Sequence, residues 1–215
     1  MLKIIVKFRR FYQVSFSKKI QFLFFTLAKI RVLFFYKYLL KSCGKRNVIL
    51  KPIFWTPENI AIGDDVIIFN GNRIEAVSEY ANTVFSPEII IESNVSLQQY
   101  CHITAAGCLV IGAGTSVLQY VVITDIDHEY ESLGISPSLQ PLSVKKTKIG
   151  KNCFIGAGAR ILAGTTLGEH CIVGANAVVK GHFPAGCVIA GIPAKIIKRY
   201  DPMTNSWCAV DKNKE

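Results

Sequence analysis

From Ile149 onward an aliphatic side chain returns at every sixth position: Ile149, Ile155, Ile161, Leu167, Val173 and Val179. Glycine follows it at Gly150, Gly156, Gly168 and Gly174. Four places on, the side chain is small at Cys153, Ala159, Thr165, Cys171 and Ala177, with Phe183 the exception. The rhythm recurs upstream in Ile91, Leu97 and Ile103, and in Ile111, Val117 and Ile123, shifted by the extra Leu109 and Val110. Ile62, Ile68 and Ile74 begin the series, with irregular sequence between Ile74 and Ile91. A six-residue period is too short for a helical repeat and fits a short strand plus a corner. Three such strands per turn form an all-β prism with aliphatic columns inside and small residues filling the corners. Each coil then lies about 4.8 Å from the last and touches only its neighbours. The twelve well-formed hexads make four coils, and glycine after the aliphatic position is expected to relieve the corner backbone.

One long interruption breaks the series. After the hexad Ile123 to His128, residues 129–148 read EYESLGISPSLQPLSVKKTK before Ile149 restores the rhythm. So polar a stretch leaves the prism at a corner, and long excursions of this kind tend to be functional or disordered. His128 stands at its base beside Asp125 and Asp127. Taking a proton from a hydroxyl needs a base that titrates near neutrality, which suits imidazole. On the residues alone, His128 is either such a base or a surface histidine at a loop entrance. His102 occupies the same last hexad position on another face, placed to contact an acceptor or a neighbouring subunit. His170 and His182 fall on corners of different faces, too scattered for a three-histidine metal site, so no metal is expected.

Ahead of the repeat, residues 20–40 read IQFLFFTLAKIRVLFFYKYLL. Lys29, Arg31 and Lys37 interrupt the apolar run, and its longest charge-free part, Ile20 to Ala28, is short of a membrane span. The segment reads as a helix lying on a membrane interface or packed on its own domain. Charge sharpens this picture. The chain of 215 residues carries a formal +10, yet residues 1–57 hold thirteen Lys or Arg and no acid, while the rest has twelve basic and fifteen acidic side chains. Nucleic acid would fit the total but not a slightly acidic body, so no nucleic-acid partner is expected. Half of the residues are apolar, which excludes disorder for most of the chain. The seven cysteines form no C-x-x-C pair and no export signal is legible, so reduced thiols and a cytoplasmic setting are expected. Cys153 and Cys171, one coil apart, are read as small apolar fillers. The resulting division is a basic aromatic helical segment over 1–57, the prism over 58–187, and a tail or short helix over 188–215.

The hexads fit [LIV]-[GAED]-x-x-[STAV]-x well over 149–184 and loosely over 91–128, and with VIAGIPAKIIKRY at 188–200 they resemble the hexapeptide-repeat acyltransferases. The resemblance implies a left-handed parallel β-helix, a homotrimer and acetyl-CoA as donor. TDIDHEYES resembles the catalytic tract of bacterial polysaccharide O-acetyltransferases, often D-H-x-H, with Ile126 here in the place of its first histidine. It implies His128 as general base, and Asp125 and Asp127 beside it, with His102 from its hexad position, are expected on the acceptor side. It also implies Ala157 and Ala175 beside the pantetheine arm, with Lys180, Lys195 and Lys198 at the phosphates. The expected activity is transfer of acetyl to a sugar hydroxyl of a bacterial surface polysaccharide or its precursor, near lipid-linked acceptors at an anionic membrane contacted through residues 1–45. N-acetylation of a nucleotide-linked amino sugar and a non-catalytic β-helical scaffold are the alternatives.

Overall fold

The computed structural model describes residues 15–210. Its body is a three-faced parallel β-helix. The first face runs through the inner residues Cys43, Ile62, Ile91, Ile111, Ile149, Leu167 and Phe183. The second runs through Ile49, Ile68, Leu97, Val117, Ile155, Val173 and Ile189. The third runs through Trp55, Ile74, Ile103, Ile123, Ile161 and Val179. The aliphatic members from Ile49 to Ile189 are almost fully buried in one continuous core. Fully burying such a side chain is worth about 1.5–3 kcal/mol, so three such columns dominate the stability of the body.

Six full coils and part of a seventh result, not four. The helix begins at Ser42–Cys43, Val48–Ile49 and Phe54–Trp55, whose strands pair with the coil above. The boundary expected at residue 58 therefore lies some sixteen residues too late. Cys43, Ile49 and Trp55 keep the six-residue spacing, but only one of them is aliphatic, which hid the first coil. The tail is corrected as well: beyond Cys187–Gly191, the last parallel strand of the second face, Ala194–Asp201 and Ser206–Ala209 add to that face as antiparallel strands, not as a helix.

The corners explain the sequence rhythm. The first-to-second corners keep a left-handed residue three places after the inner side chain: Arg46, Asp65, Asn94, Gly114, Asn152, His170 and Gly186. The second-to-third corners repeat it at Gly71, Tyr100, Tyr120, Gly158 and Asn176. Pro52 replaces it in the first coil, because proline holds φ negative. The glycines right after the inner residue have another role than the one expected of them. Gly150, Gly156, Gly168 and Gly174 are absent from the positive-φ set; instead, a Cβ on Gly156 would stand 2.6 Å from Ala175 N and 2.7 Å from Val173 O. They allow one coil to approach the next.

At these two corners each inner residue follows the last by six without exception, from Cys43 to Ile49 to Trp55 up to Phe183 to Ile189. All variation falls at the third-to-first corner. It takes Trp55 to Ile62, Ile74 to Ile91, Ile103 to Ile111, Ile123 to Ile149, Ile161 to Leu167 and Val179 to Phe183, steps of seven, seventeen, eight, twenty-six, six and four. Phe183 is thus no corner filler: the last of these corners is two residues short, and Phe183 stacks on Leu167 inside the first face.

Helix α1 (Phe16–Arg31) continues through a wider turn at Val32–Tyr36 into α2 (Lys37–Leu39). Its inner side packs Ala28, Val32 and Phe25 on the first coils, with Phe25 edge-on to Phe69 at 6.0 Å.

Candidate functional site

Two excursions leave the variable corner, one from the second coil and one from the fourth. The first is a hairpin, Glu79–Tyr80 paired with Thr83–Val84 across the left-handed pair Ala81 and Asn82, the geometry of a two-residue turn whose twist matches the strands. The second, an arm, begins with Ile126–His128 antiparallel to Leu142–Val144, so that His128 faces Leu142. The two meet. Tyr80 donates its phenol hydrogen to the Ser138 carbonyl at 2.6 Å, and its ring stands edge-on to the His128 imidazole with centroids 5.4 Å apart. Within the arm, the buried Gln140 side chain ties Ser132 and Ile135 together through backbone hydrogen bonds. The loop is therefore organised rather than loose.

His128 itself is exposed. Beside it, the Asp127 carboxylate receives Lys145 Nζ at 3.1 Å and lies 3.6 Å from Lys180 Nζ. An exposed imidazole on an organised arm is open to a substrate hydroxyl and can take its proton, while Asp127, its neighbour along the strand, is engaged by two cations. Asp125 has a different job from the one expected. It is fully buried, and its two oxygens accept from Ala106 N and Gly107 N at 2.9 Å each. These amides belong to the corner that is two residues longer than a regular one. Burial pushes the Asp125 carboxyl above the usual carboxylate range against the opposing pull of the two amides. With both oxygens occupied, Asp125 anchors the base of the arm and offers nothing to an acceptor.

His102 lies on the outer row of the third face between Arg73 and Val122. Arg73 pairs with Glu75 and stacks over Phe54 at 4.8 Å. Partial burial, then the Arg73 charge, holds the His102 imidazole below its ordinary pKa, with Glu75 opposing. His170 stacks on Trp207 at 6.3 Å. Among the described residues, no group of three or more His, Cys, Asp or Glu is placed to hold a metal ion. Cys153 and Cys171 are free and buried. A cleft of about 710 Å³ between α1 and the second-to-third corner, lined among others by Phe24, Phe25, Leu50 and Phe69, contains none of the expected site residues.

Comparison with known proteins places this geometry. The profile described as bacterial transferase hexapeptide (six repeats) matches residues 146–181. WbbJ of Escherichia coli, named for lipopolysaccharide biosynthesis O-acetyl transfer, is 36% identical over 151 residues, covering 67% of this chain and 77% of that protein. The chain belongs to the bacterial hexapeptide transferases. A Mycobacterium tuberculosis protein named as an acetyltransferase is 28% identical over 145 residues, 66% of this chain but 46% of its own length. Among solved structures, a variant of the N-acyltransferase AntD from Bacillus cereus, with dTDP and coenzyme A, superposes with a TM-score of 0.64 at 19% identity, over 78% of this chain and 88% of that one. That likeness is one of fold, and it agrees with the left-handed prism expected of the family.

The remaining expected residues divide between two edges. Ala157 and Ala175 sit on the second-to-third corner, and Lys195 and Lys198 are exposed on the antiparallel strand Ala194–Asp201 added to the second face. Lys180 lies instead at the third-to-first corner, against Asp127. Tyr80 was missed in the sequence, although the seventeen-residue step from Ile74 to Ile91 and the Ala81-Asn82 pair signalled a hairpin there.

Proposed function

We propose that the protein transfers acetyl from acetyl-CoA to a sugar hydroxyl of a bacterial surface polysaccharide or its precursor. His128 takes the hydroxyl proton, the resulting alkoxide oxygen attacks the thioester carbonyl, and the coenzyme thiolate leaves. Backbone N–H groups near the corner stabilise the tetrahedral oxyanion, and Asp127, Lys145 and Lys180 set the charge around the base. The observation that carries this reading is the placement of His128: exposed on an organised arm, at the one edge of the prism where the chain departs from its hexads. The name of the 36% identical relative supports the hydroxyl acceptor.

Ala157 and Ala175 on one edge of the third face and His128 beyond the other point to a site completed between subunits, with the arm of one meeting the second-to-third corner of the next. A homotrimer provides that arrangement three times. Lys195 and Lys198 then attract the coenzyme phosphates. The enzyme works in the cytoplasm at the inner face of the membrane, where lipid-linked acceptors lie.

Replacement His128→Ala tests the base. Turnover is expected to fall by about 10²–10⁴-fold, the usual contribution of a general base, with acetyl-CoA binding by calorimetry unchanged. Unaltered turnover removes His128 from the mechanism. Screening acceptors with labelled acetyl-CoA decides between hydroxyl and amine; transfer to amino sugars alone would replace this reading by N-acetylation.

A further inference from the structure

Helix α1 is apolar on two opposite sides. Phe25, Ala28 and Val32 face the prism, whereas Phe16, Ile20, Leu23, Leu27, Ile30 and Phe34 face solvent with 78, 38, 56, 51, 47 and 72% of their surface accessible. Their spacing of four, three, four, three and four places them within about 40° of one line on the wheel. A contiguous exposed apolar stripe of this length marks an interaction surface. The double-sided pattern also explains why residues 20–40 do not read as a simple amphipath: both readings of the segment, packed on its own domain and presented outward, apply to different sides of one helix.

Charge selects the partner. Lys19 and Lys37 fall beside the stripe on the wheel, in a segment whose residues 1–57 hold thirteen Lys or Arg and no acid. A second copy of the same helix would bring like charges together along the seam. No described helix is long and apolar enough to cross a membrane. We propose that the outward stripe of α1 is a docking surface for an anionic lipid bilayer, with the helix lying in the interface plane and its lysines at the headgroups. The proposal stands independently of the acetyl-transfer reading, because vesicle binding is measured whether or not the protein transfers acetyl groups.

The test is co-sedimentation of the full chain with vesicles of phosphatidylcholine containing phosphatidylglycerol, against vesicles of phosphatidylcholine alone. Binding is expected to the anionic vesicles and to weaken with added salt. The double variant Leu23→Gln, Ile30→Gln is expected to lower that binding at least about tenfold through lost apolar burial, with an unchanged melting temperature because both side chains are exposed and neither lines the cleft against the prism. Wild-type protein that stays in the supernatant, or a well-folded double variant that binds equally, overturns the proposal. Failure to bind vesicles together with self-association that the double variant abolishes would assign the stripe to a second copy instead.

Discussion

Replacing Asp125 with alanine separates an anchoring role from an acceptor-binding one. The side chain is fully buried and each carboxylate oxygen holds one backbone amide, Ala106 N and Gly107 N, at 2.9 Å. Alanine leaves the buried Ala106 amide and the half-buried Gly107 amide without the carboxylate, at about 1–3 kcal/mol for the first and less for the second. Relief of the buried charge, which raises the carboxyl pKa, offsets part of that. A net loss of about 2–4 kcal/mol is expected, and at roughly 2–4 °C per kcal/mol for a chain of this size the melting temperature should drop by about 4–16 °C. Asparagine keeps one acceptor and should cost about half as much. The pH dependence has a definite sign. Between the ordinary Asp pKa and the raised folded value, the folded state binds more protons than the unfolded, so Asp125's contribution to stability falls as pH rises through that window, and Asp125→Asn removes that slope. Thermal unfolding followed by circular dichroism across pH, alongside steady-state kinetics, measures all of this. A melting point for Asp125→Ala within about 1 °C of wild type, coupled with a raised acceptor KM, would refute the anchoring argument and restore Asp125 to the acceptor.

Other expectations follow from the same geometry. Tyr80→Phe keeps the ring beside His128 but loses the bond to the Ser138 carbonyl, so kcat should drop a few-fold with acceptor KM unchanged; Tyr80→Ala, which also removes the ring, should lower kcat further, and wild-type kcat in both variants would show that Tyr80 does not position the imidazole. Co-expressed His128→Ala and Ala175→Trp chains, each inactive alone, should regain about one quarter of wild-type sites if each site joins the arm of one subunit to the corner of the next; no recovery in confirmed mixed trimers would place each site within one chain. Gly156→Ala drives a Cβ against the backbone of Ala175 and Val173 and should cost about 1–3 kcal/mol as overpacking, read as a lower denaturation midpoint with an unchanged m-value.

Much of the prism was legible because its inner residues are aliphatic and strictly periodic. Where the inner position carries another type, as at Cys43, Trp55 and Phe183, the period persists but the pattern is masked. Glycine was assigned the wrong reason: the left-handed turn falls two residues later, often on Asn, Asp or Tyr, and only the stacking of coils shows why the earlier position must be small. Local sequence cannot report a contact made eighteen residues away. The same limit applies to the site. His128 was visible from the break in the rhythm, whereas Tyr80 and the true role of Asp125 depend on which excursions and corners meet across coils.

The uneven corners carry a lesson for altering this enzyme. Two edges are locked, since every coil there advances by six residues without exception, and an added residue would throw every later side chain out of its column. The third edge returns the chain in phase after detours of very different length. Hairpins exchanged at Val77–Pro87, or arm tips exchanged between Glu129 and Pro141 so that His128 stays in place, can therefore change what meets the base while the core remains untouched, making this edge the place where new acceptor specificity can be grafted.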